Sequence, residues 1–257
     1  MIILFCIASF VKFVLHLKKI KLIFISLFLL SVFIAVGILI KGLKTNKSII
    51  YLSAFILILS IYEITHYFIL INPSVYWGAA LYINFTPLYL LLGPLLYFYL
   101  KRSLFFDQSF KKYEWFHFAP AIVDLIGISA YLLTSFDYKQ EIISNLFEDY
   151  NTFSKMDFHL IYKPFVSFTL RIGLILAYTI NNLFLLRNYF YKKKALNDFN
   201  NEKRVSFRWL MTFHILILIV IVSYTLFTYD ICTENIFIQI NEVLIPISGS
   251  GIVLMSL

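Results

Sequence analysis

Residues 41–71 read KGLKTNKSIIYLSAFILILSIYEITHYFILI. Three lysines, Lys41, Lys44 and Lys47, lead into an apolar run, 49–71, interrupted only by Glu63 and His66. Such a run meets the roughly 20 residues that an α-helix needs to cross about 30 Å of hydrocarbon. Six further blocks repeat the pattern, at 22–40, 81–100, 115–135, 163–186, 209–229 and 236–257. The successive gaps between the seven blocks hold 3, 0, 4, 2, 7 and 0 Lys and Arg. Cytoplasmic loops retain Lys and Arg. The alternation therefore predicts an all-α, polytopic transmembrane helix bundle of seven core spans. The first core helix starts outside, residue 257 lies inside, and the gap 136–161 faces outside.

Composition agrees. The apolar fraction is 61% and the mean hydropathy +0.84, whereas about half of a soluble domain is apolar. The net charge is +8, but 14 of the 22 basic residues sit in the gaps 41–48, 101–114 and 187–208. That placement points to membrane topology rather than nucleic acid, which calls for a basic face on a folded soluble module. Cys6 and Cys232 are too far apart in sequence and predicted depth to suggest a disulfide or a thiolate metal site.

Residues 1–21 form a separate hydrophobic segment, and 22–257 the transmembrane domain. The first 17 residues carry Lys12 and His16 and lack a signal-peptide pattern. An eighth helix, an interfacial segment and translation from a start upstream of the native one all stay open. Lys18, Lys19 and Lys21 fall on the predicted outer side, against the charge rule. The gap 136–161 has helical apolar spacing at Ile142, Ile143, Leu146, Phe147 and Tyr150, which predicts a short helix on the outer surface. Pro87, Gly93-Pro94, Pro120 and Pro246 predict kinks. Trp77, Trp115 and Trp209 fall at predicted helix ends, where interfacial anchors belong.

One region is more specific. FTPLYLLLGPLLYFYLKRSL at 85–104 is followed by KKYEWFHFAPA at 111–121. Together they resemble the seven-helix N-terminal membrane module of the membrane-bound AraC-type transcriptional regulators of Bacteroidetes. The resemblance rests on Gly93, Pro94, Leu95, Leu96 and Tyr97, then His117, Phe118 and Pro120. KGLKTNKSIIYLSAFILILSIYE and Arg208-Trp209-Leu210 fit the same pattern, so that it covers about residues 22–257. It implies a sensory input module of the bacterial inner membrane. Family members continue into a helix-turn-helix DNA-binding domain. This chain ends at GIVLMSL, so direct nucleic-acid binding is not expected of it. A truncated product, a split gene and a stand-alone module stay open.

Ionisable residues inside spans are costly and face the bundle interior or a wet cavity. The candidates are Glu63, His66, Asp124, Arg171, His214 and Glu242. At 1.5 Å per residue, Glu63 and Arg171 lie about 12 Å from the outer ends of their helices, Glu242 about 9 Å and His66 about 7 Å. Asp124 falls near the midplane and His214 near the inner side. An outer-leaflet polar cluster of Glu63, His66, Arg171 and Glu242, with Asp124 below it, is the candidate site. Arg171 is expected within salt-bridge or single-water reach of Glu63 or Glu242, because a buried Arg needs a carboxylate. Structural pairing that holds the bundle together competes with a ligand pocket as the role of these groups. Asn181-Asn182 read as interhelical glue. His117 reads as a headgroup contact, and His159, beside Asp157, as part of a solvated loop.

HExxH, GxSxG, CxxC and glycine-rich phosphate loops are all missing. No enzymatic activity, cofactor or metal is expected. The expected partners are the lipid bilayer, a small extracytoplasmic ligand and a second copy of the chain. A small transporter or channel-like protein, or a non-functional fragment, are the competing readings.

Overall fold

The computed structural model describes residues 2–44, 48–105, 110–148, 158–195 and 201–233. The described residues are mostly helical, with no strand among them. Helix α1 (Ile2–Lys44) runs unbroken through the N-terminal segment and the first apolar block. It packs along α2 (Ser48–His66) through small residues. Ser31 and Ser60 share a 2.7 Å hydrogen bond, and Ser53 Oγ donates to the Ala35 carbonyl at 2.7 Å. Small polar residues let helix backbones approach closely and satisfy their own hydroxyls across the contact. The opposite face of α1 exposes Leu22, Leu29, Phe33 and Ile40, a continuous apolar stripe that suits hydrocarbon better than water.

A π-turn, Tyr67–Ile71, ends α2. Lys21 Nζ then donates to Asn72 Oδ1 at 2.8 Å. One of the three lysines that run against the charge rule is thus engaged by the turn after α2. Helix α3 (Val75–Leu81) is followed by α4 (Thr86–Tyr89) and α5 (Leu92–Phe105), with a bend of 61° between α3 and the α4–α5 segment. Pro87 stands in the first turn of α4, where a missing N–H costs little. Gly93 is required by close approach, since a Cβ there would lie 2.5 Å from the Tyr178 ring.

The block 115–135 is not one helix. It divides into a 3₁₀ turn (Lys112–Phe118), α6 (Ala119–Gly127) and α7 (Ser129–Leu132). The predicted outer helix is present as α8 (Phe136–Glu148). Its Ile142, Ile143 and Leu146 are buried, with Ile143 and Leu146 in one apolar cluster with Ala79 of α3. Two long helices follow, α9 (Pro164–Ala195) and α10 (Asn201–Thr233). The main core lies where α1, α2, α5, α9 and α10 meet, around Phe55, Leu96, Leu186, Phe213 and Ile217.

Three helical stretches are long and apolar enough to cross a membrane: Phe24–Leu43, Ser48–Ile69 and Val166–Lys192. The bent α3 and α4–α5 pair makes up to four. The sixth predicted block lies in α10, whose apolar stretch among the described residues is Phe207–Val222. The seventh, with Glu242 and Pro246, lies outside the described residues.

Candidate functional site

The polar residues near the start of α9 gather around Asp124, and the break in the fourth block is what brings them there. Asp124 lies on α6 and is fully buried. Thr86, at the start of α4, donates to its Oδ2 at 2.7 Å. The Tyr162 hydroxyl donates to its Oδ1, and Ser167, in the first turn of α9, approaches the same oxygen at 3.5 Å. Asp124 is therefore level with the first turn of α9, not with the middle of a span. The midplane placement assumed one unbroken fourth helix, and that helix is short and interrupted.

The segment before α9 closes over this carboxylate. The Leu160 N–H donates to the Gly127 carbonyl at 2.8 Å. The His159 ring stacks on Tyr162 with centroids 3.7 Å apart. A Cβ on Gly127 would sit 1.9 Å from the His159 ring, so glycine is the residue that admits it. His159 Nδ1 accepts the Ile161 and Tyr162 backbone N–H groups, both at 3.2 Å. An accepting Nδ1 is unprotonated, which assigns the proton of the neutral ring to Nε2. Nε2 faces Asp124 Oδ1 at 3.4 Å. Burial pushes the His159 imidazole below its ordinary range, although Asp124 pulls the other way. Burial, then Asp124, push the Tyr162 phenol up. The expectation of a solvated His159 loop is overturned, because the side chain is only 1% exposed.

Arg171 stands one turn along α9 from Ser167 and donates to Ser167 Oγ at 2.7 Å. Its guanidinium lies over the Phe168 ring at 4.8 Å and the Tyr89 ring at 5.5 Å. It makes no ion pair with Glu63, and its buried Nε has no hydrogen-bond partner. The direct Arg171–Glu63 bridge is absent because the guanidinium is turned to Ser167, the Tyr62 hydroxyl and the aromatic rings. Glu242, the other expected partner, lies outside the described residues. Glu63 is buried, and its Oε1 has no hydrogen-bond partner. His66 bonds the Tyr62 carbonyl through Nδ1 at 2.8 Å and packs on the Tyr62 ring. Beside Arg171, a cavity of about 60 Å³ opens between α2, α5, α9 and α10. Its walls include Tyr62, Tyr89, Leu59, Ile217 and Ile221.

Other polar groups are engaged in packing. Asn182 Nδ2 donates to His214 Nε2 at 3.2 Å, joining α9 to α10, and His214 Nδ1 donates to the Leu210 carbonyl. His117 bonds the Tyr178 hydroxyl, so it faces the bundle and not headgroups. At the far end of α5, Glu114 pairs with Lys101 at 2.7 Å and Arg102 at 3.4 Å. Among the described residues no group of three His, Cys, Asp or Glu could hold a metal ion.

Thr86, Tyr162, Ser167 and Gly127 escaped the sequence reading. One signal was available: Ser167 and Arg171 are four apart, on one helix face. What the fold and site define is an all-helical chain with at least three helices of membrane-crossing length and a polar cluster at one end. No protein-family model, curated protein or solved structure matches it.

Proposed function

We propose that the chain is a sensory module of the bacterial inner membrane, in the manner of the input domain of membrane-bound AraC-type regulators. In this reading all seven blocks cross the bilayer, with the C-terminus in the cytoplasm. A stimulus from outside acts on the cluster around Asp124 and Arg171. The observation that carries the reading is the latch at the head of α9. Segment 158–162 is folded onto α6, and Asp124 and Arg171 share Ser167. Helix α9 then runs without a break to the basic residues Arg187 and Lys192. A change at the latch is transmitted along one rigid helix about 48 Å long.

The test needs no ligand. Tyr162→Phe removes the hydroxyl from Asp124, and a spin label at Lys192 reports the other end of α9. Altered label mobility supports transmission; an unchanged spectrum beside a demonstrably loosened latch sinks it. Reporter fusions at 150 and 257 check the orientation. Strong alkaline phosphatase activity at 257 contradicts it.

A further inference from the structure

The 3₁₀ turn between α5 and α6 sorts its side chains by row. Residues three apart in such a turn stand one above the other. Glu114 and His117 form one row, and both face the bundle: Glu114 meets Lys101 and Arg102, and His117 meets the Tyr178 hydroxyl. The other rows are Lys112 with Trp115 and Tyr113 with Phe116. These four side chains are exposed, Phe116 to 79%. Lys111, just before the turn, is exposed as well. Segment 110–118 carries one acid, Glu114, and it is buried. What faces outward is two ammonium groups beside three large aromatic rings.

Neighbouring helices fix the level of this surface. Ser103, in the last turn of α5, donates to Ser48 Oγ at 3.4 Å, and Ser48 opens the membrane-length stretch Ser48–Ile69. Phe105 packs edge-on against Tyr189 at 5.9 Å, near the end of the stretch Val166–Lys192. Glu114 ties the turn to Lys101 and Arg102 of the same helix end. The surface is thus level with the ends of two membrane-length stretches, where hydrocarbon gives way to headgroups. It is also braced from behind. Trp115 packs on Phe110 and Phe118, and both of those rings pack on Phe98.

We infer that this surface binds the headgroup of an anionic phospholipid. Tyr and Trp rings settle at the headgroup level of a bilayer. Lysine stems lie along apolar matter there and hold the ammonium among the phosphates. The rings alone suit any lipid. The two lysines, with the segment's acid withdrawn, select a net negative headgroup, because a zwitterionic one brings its own cation to the same place. A soluble polyanion would satisfy the lysines and leave Phe116 in water. A second copy of the chain, docked face to face, would set the same positive charges against each other.

The test uses the full chain in nanodiscs of phosphatidylcholine mixed with phosphatidylglycerol, with one lipid or the other brominated on its chains. Trp77→Phe with Trp209→Phe leaves Trp115 as the fluorophore that bromine quenches. Phosphatidylglycerol is expected to quench Trp115 as though enriched at least about fivefold, the effect of roughly one lysine at an anionic surface. Lys111→Gln with Lys112→Gln brings the two lipids to parity, and added salt weakens the preference in the chain that keeps its lysines. Circular dichroism establishes that each variant is folded. Should the tryptophan variant fail, native mass spectrometry compares the phosphatidylglycerol retained by the unaltered chain and by the double glutamine variant. Equal quenching by the two lipids, a preference that survives the glutamine changes, or a Trp115 that neither lipid quenches overturns the proposal. A dimer that is lost in Phe116→Ser and indifferent to lipid charge overturns it too, and gives the surface to a second copy.

Discussion

Two buried carboxylates stand at opposite ends of the α4–α5 segment, and the protein treats them differently. At the end of α5, Glu114 meets Lys101 and Arg102 directly and also accepts the Lys111 N–H at 2.9 Å. Burial opposes its charge, but the Lys101 hydrogen bond and the other donors win and hold the carboxyl below its usual range. Arg102 is enclosed by the rings of Tyr51, Phe98 and Phe110. At the start of α4, Asp124 meets hydroxyls, and its nearest cation stands behind Ser167. A charge matched directly by its counter-charge makes a closed fastening. A charge matched through hydroxyls keeps its counter-charge at one remove. The first arrangement is built to stay; the second is one that a ligand or a proton can alter.

The strongest way to break this contrast is Glu114→Ala. It takes the carboxylate away from Arg102, which is only 4% exposed. Removing one partner of a buried ion pair costs roughly 3–5 kcal/mol. Chemical denaturation in detergent, followed by tryptophan fluorescence, reads the loss. A loss below about 1 kcal/mol would put Glu114 among ordinary surface pairs. Asp124→Ala is expected to cost less, about 1–3 kcal/mol, because it strands hydroxyls rather than a paired cation. A larger loss than that of Glu114→Ala reverses the comparison.

Gly127→Ala sharpens it further. The added methyl collides with the His159 ring, and overpacking of this kind costs about 1–3 kcal/mol if the site cannot yield. The latch can yield by opening. The expected result is a small stability change and several-fold faster hydrogen exchange at the Leu160 amide, which donates to the Gly127 carbonyl in the closed latch. Unchanged exchange would show that segment 158–162 is held by something other than His159.

The smallest effect is that of pH. His159 is held neutral, with a lowered pKa. Its contribution is complete above the unfolded value of about 6.5 and is lost as pH falls from there through the folded value. Protonation also places a hydrogen on Nδ1, which the two backbone N–H groups now occupy. Hydrogen exchange at the Leu160 amide, corrected for its intrinsic rate at each pH, should therefore rise modestly between pH 7 and 5.5. Glu114, whose pKa is also lowered, loses its contribution only below the ordinary carboxylate range of about 4.3. The fastening at the end of α5 should not respond in that interval. Equal responses at both ends would erase the distinction.

Much of the helical plan was legible from local signals. The runs 22–40, 49–71 and 163–186 became helices because an apolar stretch of that length has no better way to satisfy its backbone away from water. The 142, 143, 146 spacing announced α8 for the same local reason. Block 115–135 misled. Its hydrophobicity reads like the others, but its turn changes at Phe118 and Gly127 are set by packing against α4 and the segment before α9. The site suffered accordingly. Depth along ideal helices grouped Glu63 with Arg171, yet depth carries no information about helix rotation. It also placed Asp124 too deep, since a broken helix does not advance evenly.

The sequence by itself determined that the chain is helical, where its long apolar helices run, and that Arg171 and Asp124 need partners. Those properties follow from hydrophobic length and the cost of buried charge, which are written residue by residue. Only the tertiary structure decided that Ser167 stands between them, that His159 closes over Gly127, and that a cavity opens beside the guanidinium. Those depend on the relative rotation and breakage of helices distant in sequence, and no local pattern encodes an angle between two helices.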